Sequence, residues 1–221
     1  MESPEKRITE ILLQLHRLFP VSRTALYYET PLQILVATIL SAQCTDAKVN
    51  EITPGLFRKY PTVRHFAEAD PGILEQEIRP TGFFRNKTKN IIGAAKKIMQ
   101  DYGGRVPDSM KDLITLPGVA RKTANIVLSS GFNKAEGIAV DTHVKRLSGR
   151  LGLSSHKDPD KIEQDLLALV PREEWLDFNY ILVNHGRAIC QARKPDCDAC
   201  PLSHLCPYYE ETRLMGKSTA G

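Results

Sequence analysis

Leu116-Pro117-Gly118-Val119-Ala120-Arg121-Lys122-Thr123-Ala124 joins two stretches of helical character. Around it, residues 108–132 read as helix, tight turn, helix. Ser109 and Asp112 have capping-box spacing, Leu116 to Ala120 form the turn, and Arg121 to Phe132 form the second helix. A Pro-Gly pair alone describes any αα-hairpin turn. A glycine beside a helix N-terminus adds something, because it lets backbone amides approach an anion where the helix dipole supplies partial positive charge. A DNA phosphate is a natural ligand for such a turn.

Outward from the hairpin the same helical period recurs. Ile8, Ile11, Leu12, Leu15, Leu18 and Phe19 recur at three- and four-residue steps up to Pro20, and Leu32, Leu35, Val36 and Ile39 do the same. Ile91, Ile92, Ala95 and Ile98 form a third run and Ile162, Leu166 and Leu169 a fourth. No segment alternates with period two. Breaks are expected at Thr53-Pro-Gly, Asp70-Pro-Gly, Tyr102-Gly-Gly, Pro117-Gly118 and Leu151-Gly152, and Asp158-Pro159 reads as an N-cap with proline at the first helical position. The pattern predicts an all-α protein of roughly ten short helices, with a disordered tail from about Leu214.

At 221 residues and 42% hydrophobic, the chain can bury one large core or two modest ones without disulfides. Its longest apolar stretch, Leu32 to Leu40, falls far short of the ~20 residues of a spanning helix. The charged start, Met1-Glu-Ser-Pro-Glu-Lys-Arg, lacks a secretory h-region, so a cytosolic protein with no membrane partner is expected. A net charge of +4 and a pI near 8.8 permit nucleic-acid binding without indicating it. Cys190, Cys197, Cys200 and Cys206 crowd into one segment with spacing C-x6-C-x2-C-x5-C, which favours a metal site over disulfides. Four thiolates suit zinc or a cubane iron-sulfur cluster, and spacing alone leaves both open. Cys44 lies apart and reads as a small buried or half-buried hydrophobe. None of the six histidines has a helical metal-pair spacing.

The hairpin segment, followed nineteen residues after Lys122 by Val140-Asp-Thr-His-Val-Lys-Arg146, resembles the helix-hairpin-helix DNA glycosylase superfamily, and within it the bacterial endonuclease III family. The resemblance runs over nearly the whole chain. It implies two helical domains with a central cleft: residues 24–135 as a helical barrel bearing the hairpin, and residues 1–23 plus 136–221 as a discontinuous iron-sulfur domain. It moves the four cysteines from an open choice to ligands of a [4Fe-4S] cluster. The implied activity is that of a monomeric, cytosolic, nucleoid-associated enzyme that removes oxidised pyrimidines from duplex DNA and cleaves the strand 3′ to the abasic site.

In that scheme Lys122 is the nucleophile that forms a Schiff base at C1′, and Asp141 is the carboxylate that assists. Lys122 and Asp141 would face each other across the cleft. Read without the resemblance, Lys122 is a helix-surface lysine and Asp141 an N-cap. A free lysine at neutral pH is unprotonated less than about 1% of the time, so burial or proton transfer must help it. The resemblance further implies that Gln43 and Phe83 fill the space left by an extruded nucleotide. DNA contacts are expected from Gly118, Ala120, Arg121, His143, Arg193 and Lys194, and Arg85, Lys87 and Lys89 read either as further phosphate contacts or as a solvated helix face. Of the adjacent Phe83 and Phe84, one is expected outward and one inward. Ala120 departs from the family, where a second glycine is common; a left-handed alanine would cost on the order of 1 kcal/mol. Three alternatives compete. An adenine mismatch glycosylase is opposed by Lys122 and by the short stretch after Cys206. A pyrimidine mismatch glycosylase is harder to separate, and a non-catalytic DNA-binding module gives no reason for Lys122 and Asp141 together.

Overall fold

The computed structural model describes residues 4–20 and 23–218, and among them it contains helices and no strands. In chain order the helices are α1 (Pro4–Leu18), α2 (Pro31–Leu40), α3 (Asp46–Lys59), α4 (Val63–Ala67), α5 (Pro71–Ile78) and α6 (Phe84–Asp101). They continue with α7 (Met110–Leu113), α8 (Arg121–Phe132), α9 (Thr142–Arg150), α10 (Pro159–Leu169), α11 (Trp175–Ala188) and α12 (Pro207–Ser218). None of the described helices is long and apolar enough to cross a membrane. The all-α expectation holds, with twelve α-helices among the described residues.

Helix starts follow side-chain chemistry. Thr30, Thr45, Asp70 and Ser109 each accept a hydrogen bond from the amide three residues on, and Asp158 accepts from Asp160 and Lys161. Pro31, Pro71 and Pro159 stand in the first turn, where a missing N–H costs nothing. Two expectations fail. The break at Thr53-Pro-Gly does not occur: α3 runs through Pro54 because Val49, Thr53 and Leu56 continue its buried stripe, while Pro54 and Gly55 face solvent. The tail is not disordered from Leu214, since α12 extends to Ser218 through residues of good helix propensity such as Leu214, Met215 and Lys217. Residues 219–221 lie outside the described part.

The chain divides into two compact units, Thr24–Glu136 and Met1–Arg23 with Gly137–Gly221. In Thr24–Glu136, α2 is buried on all sides, at Leu32 and from Ile34 through Leu40, as a helix apolar all round must be. It packs against α3, α6 and α8, and α6 carries α4 and α5 on its other flank. Leu35, Phe66, Ile78, Ile91, Leu113 and Leu128 lie in this core, each such side chain contributing about 1.5–3 kcal/mol when fully buried. The other unit packs α1, α9 and α11 around Ile11, Leu15, Val144, Leu147, Phe178 and Leu182, with α10 against α1 and α9.

Candidate active site and cysteine centre

The hairpin is built as its residues dictate. Leu116 and Val119 are buried and anchor the turn, the Val119 amide donating to the Leu116 carbonyl at 3.1 Å. Pro117, Gly118 and Ala120 between and after them are exposed. Gly118 has φ +77, and a Cβ there would lie 2.7 Å from Asn90 Cβ on α6, so backbone conformation and packing both require glycine. Ala120 has φ −89 and ψ 171, ordinary extended backbone, so the penalty attached to a left-handed alanine does not arise. No side chain caps α8, unlike α2, α3, α5 and α7 in the same unit. The first amides of a helix lack partners within it, and such an end favours an anion. The capping box of α7 is half formed: Ser109 Oγ accepts from the Asp112 amide at 3.2 Å, and Asp112 takes the Ser109 hydroxyl proton at 2.7 Å rather than the Ser109 amide.

Lys122 is the second residue of α8 and is exposed. Arg121 beside it is half-buried. Asp141 is the N-cap of α9, its Oδ1 accepting the amides of His143 and Val144, both at 2.8 Å. Both bonds fall on one oxygen, so Oδ2 is not committed to the cap. Upstream, Ile138, Ala139 and Val140 are buried, and the buried Asn179 on α11 donates to the Ala139 carbonyl at 2.7 Å. The strand of chain entering α9 is thereby fixed. A Cβ on Gly186 of α11 would meet His143 Nδ1 at 2.7 Å, so α9 lies close against α11 there. His143 Nδ1 accepts from Arg146 at 3.1 Å, and Arg146 also donates to the carbonyls of Gly186 and Cys190.

Gln43 and Phe83 both occupy left-handed backbone, with φ 53 and φ 48, at about 1–2 kcal/mol each for a residue bearing a Cβ. Gln43 is exposed between α2 and α3, and Phe83 is 60% exposed at the start of α6. Phe84 is half-buried against the core, with the guanidinium groups of Arg79 and Arg85 over its ring at 6.0 and 5.7 Å. Arg85 and Lys89 are exposed. Lys87 is not, and its assignment to phosphate is corrected. Only 4% exposed, it donates to the carbonyls of Leu40 at 2.7 Å and Thr81 at 2.8 Å, and burial lowers its pKa. Position 87 continues the buried stripe of Ile91, Ala94, Ala95 and Ile98, which carries its side chain inward.

Cys190, Cys197, Cys200 and Cys206 are free, half-buried and line one cavity, with Leu147, Leu151 and Ile189 in its wall. Burial pushes the Cys200 thiol up to about 11 and raises those of Cys197 and Cys206, and neighbouring thiolates push the same way. Buried thiols of this kind resist ionisation unless a cation compensates, and four cysteine sulfurs are the donor set of a metal centre. Arg150 donates to Cys190 Sγ at 3.3 Å and to the carbonyls of Gln191 and Ala192 at 2.8 and 2.9 Å, and lies 4.5 Å over the Tyr208 ring. His185 Nε2 stands 3.6 Å from Cys200 Sγ. Arg193 and Lys194 are exposed on the loop that Arg150 holds. No spacing in the sequence marks Arg150 or His185, whose partners lie far along the chain.

Residues 36–172 match the model of the HhH-GPD superfamily of base excision DNA repair proteins, and residues 190–206 match the iron-sulfur binding domain of endonuclease III. The chain is 55% identical to endonuclease III of Synechocystis sp. over 94% of both chains. It is 37% identical to that of Escherichia coli over 93% of this chain and 97% of the other. A solved structure of a trapped endonuclease III-DNA covalent intermediate superposes with a TM-score of 0.89 at 39% identity, over 96% of this chain and all of the other. A thermostable thymine-DNA glycosylase gives 0.86 at 26% identity, over 95% of this chain and all of the other.

Proposed function

The chain belongs to the endonuclease III family within the HhH-GPD superfamily of base excision DNA repair proteins, and on that premise we propose a bifunctional DNA glycosylase and AP lyase acting on oxidised pyrimidines in duplex DNA. The observation that carries the lyase half is Lys122, exposed in the uncapped first turn of α8, four residues after Gly118. An amine there stands at the positive end of a helix, which favours a phosphate.

Unprotonated Lys122 Nζ attacks the sugar C1′. The bond from C1′ to the base breaks, the base leaving with the electron pair and taking up a proton. The sugar ring opens to a protonated Schiff base, loss of a C2′ proton feeds electrons toward it, and the 3′ phosphate departs by β-elimination. Water then releases the lysine. Asp141 is the fixed anion that stabilises the oxocarbenium-like transition state. Its two cap bonds fall on Oδ1 and leave Oδ2 for this role. Gln43 and Phe83 fill the vacated stack; Gly118, Ala120, Arg121, His143, Arg193 and Lys194 contact DNA.

Cys190, Cys197, Cys200 and Cys206 would hold the [4Fe-4S] cluster. When bound, the cluster supplies a cross-link that folds the segment and presents Arg193 and Lys194. The enzyme acts as a monomer on the DNA of a bacterial cytosol. Incubation with abasic-site, thymine-glycol and mismatched duplexes tests the reading. Strand cleavage at the first two, with a borohydride-trapped complex, is expected; base removal without cleavage would overturn the lyase assignment.

A further inference from the structure

Three non-glycine residues among those described have left-handed backbone: Gln43, Phe83 and Asn133. Asn133 closes α8, where asparagine in this conformation is an ordinary helix end. Gln43 lies in the turn that the Cys44 amide closes on the Ser41 carbonyl at 3.1 Å, and Phe83 is the N-cap of α6 with no side-chain cap bond. Backbone of this kind persists only where the surroundings impose it, and one side chain reaches both segments. Lys87 Nζ donates to Leu40 O, three residues before Gln43, and to Thr81 O, two residues before Phe83.

Both carbonyls belong to helix ends, Leu40 closing α2 and Thr81 closing the short 3-10 turn Arg79–Thr81, where backbone acceptors lack amide partners. The negative end of the α2 dipole also favours a cation at Leu40. Among the described residues no carboxylate pairs with Lys87. An ammonium buried on two carbonyls near the Cys44 thiol is costly, and an apolar side chain would fill the stripe between Phe84 and Ile91 more cheaply. What the ammonium adds is a hydrogen-bonded link between the two segments.

We propose that Lys87 is a positioning residue whose ammonium ties the Gln43 and Phe83 loops into one rigid element, so that both side chains are held ready for the space an extruded nucleotide leaves. This rests on the reading of Gln43 and Phe83 given above.

The test is a thermodynamic cycle on the full chain with its cluster bound. Affinity is measured for a duplex with a stable abasic-site analogue and for an undamaged duplex, at several salt concentrations, with melting temperature alongside. Lys87→Met is expected to weaken abasic-duplex binding about tenfold, or ~1.4 kcal/mol, and undamaged-duplex binding less than about twofold. In a Gln43→Ala/Phe83→Ala background the same substitution should change abasic-duplex binding by less than about twofold.

An equal loss in both backgrounds overturns the proposal. So does a fall in both affinities with the salt slope reduced by about one, the mark of a lost phosphate contact. If Lys87→Met fails to fold, Lys87→Arg, which keeps a buried cation and its donors, carries the comparison. Retained selectivity, or a loss that vanishes in the truncated background, upholds the tie; a loss that persists there overturns it. If Gln43→Ala and Phe83→Ala leave abasic-duplex affinity unchanged, the reading of the loops fails and the proposal with it. If they weaken it and Lys87→Met does not, only the Lys87 proposal fails.

Discussion

Replacing Gly118 with alanine puts one methyl group where the hairpin has no room for it. The φ of +77 costs an L-residue about 1–2 kcal/mol. The added Cβ would sit 2.7 Å from Asn90 Cβ and 2.8 Å from Asn90 Cγ and Nδ2, close enough that α6 or the turn must move, and overpacking of this kind costs about 1–3 kcal/mol more. The total is roughly 3 kcal/mol, a fall in melting temperature of about 6–12 °C for a chain of this size. Ala120→Gly is the control. Its φ of −89 gives glycine no advantage, so the substitution only loosens the unfolded chain and should cost about 0.4–1 kcal/mol. Far-UV circular dichroism melts of both variants, with affinities for an abasic-site duplex, are the assay. Gly118→Ala should also lose about tenfold in affinity as the α8 amides shift. A Gly118→Ala protein melting within about 2 °C of the parent, or an Ala120→Gly protein more stable than it, would refute the account of the turn.

Lys122→Gln should leave the melting curve unchanged, because the side chain is exposed, and should abolish strand cleavage and borohydride trapping; a persisting trapped complex would move the nucleophile elsewhere. Phe83→Ala should weaken binding to lesion duplex by about 1–3 kcal/mol with little effect on stability, whereas Phe84→Ala should cost roughly 2–3 kcal/mol of stability through lost core contact. Iron analysis and visible spectra should give four iron atoms per chain, and Cys200→Ser should lower iron content and melting temperature together; one zinc and no iron in the parent protein would overturn the cluster.

The hairpin was legible because its signals are local. The Leu116–Ala120 turn and an α8 from Arg121 to Phe132 follow from periodicity and punctuation over a few residues. Thr53-Pro-Gly misleads for the opposite reason, since what carries α3 through it is a buried stripe whose partners lie elsewhere. Whether Ala120 must be left-handed depends on backbone torsions that residue type alone does not fix. Lys87 points inward despite its charge, and the period carries the clue: four residues before Ile91 it continues an apolar face. The four cysteines declare a metal by crowding, while Arg150 and His185 become neighbours of those sulfurs only once α9 and α11 have packed.

Asp141 serves the fold and, in the proposed reading, the chemistry with different oxygens of one carboxylate, and this narrows its mutational neighbourhood. Alanine there would remove the charge and also unravel the start of α9, by about 1 kcal/mol, so an inactive Asp141→Ala protein would leave cause and consequence entangled. Asparagine caps a helix as well as aspartate does. It is the rare substitution that could silence the residue while leaving the architecture deaf to the change, and a lineage passing through it would keep a folded protein with an intact cysteine centre, free to acquire a different use for the same surface.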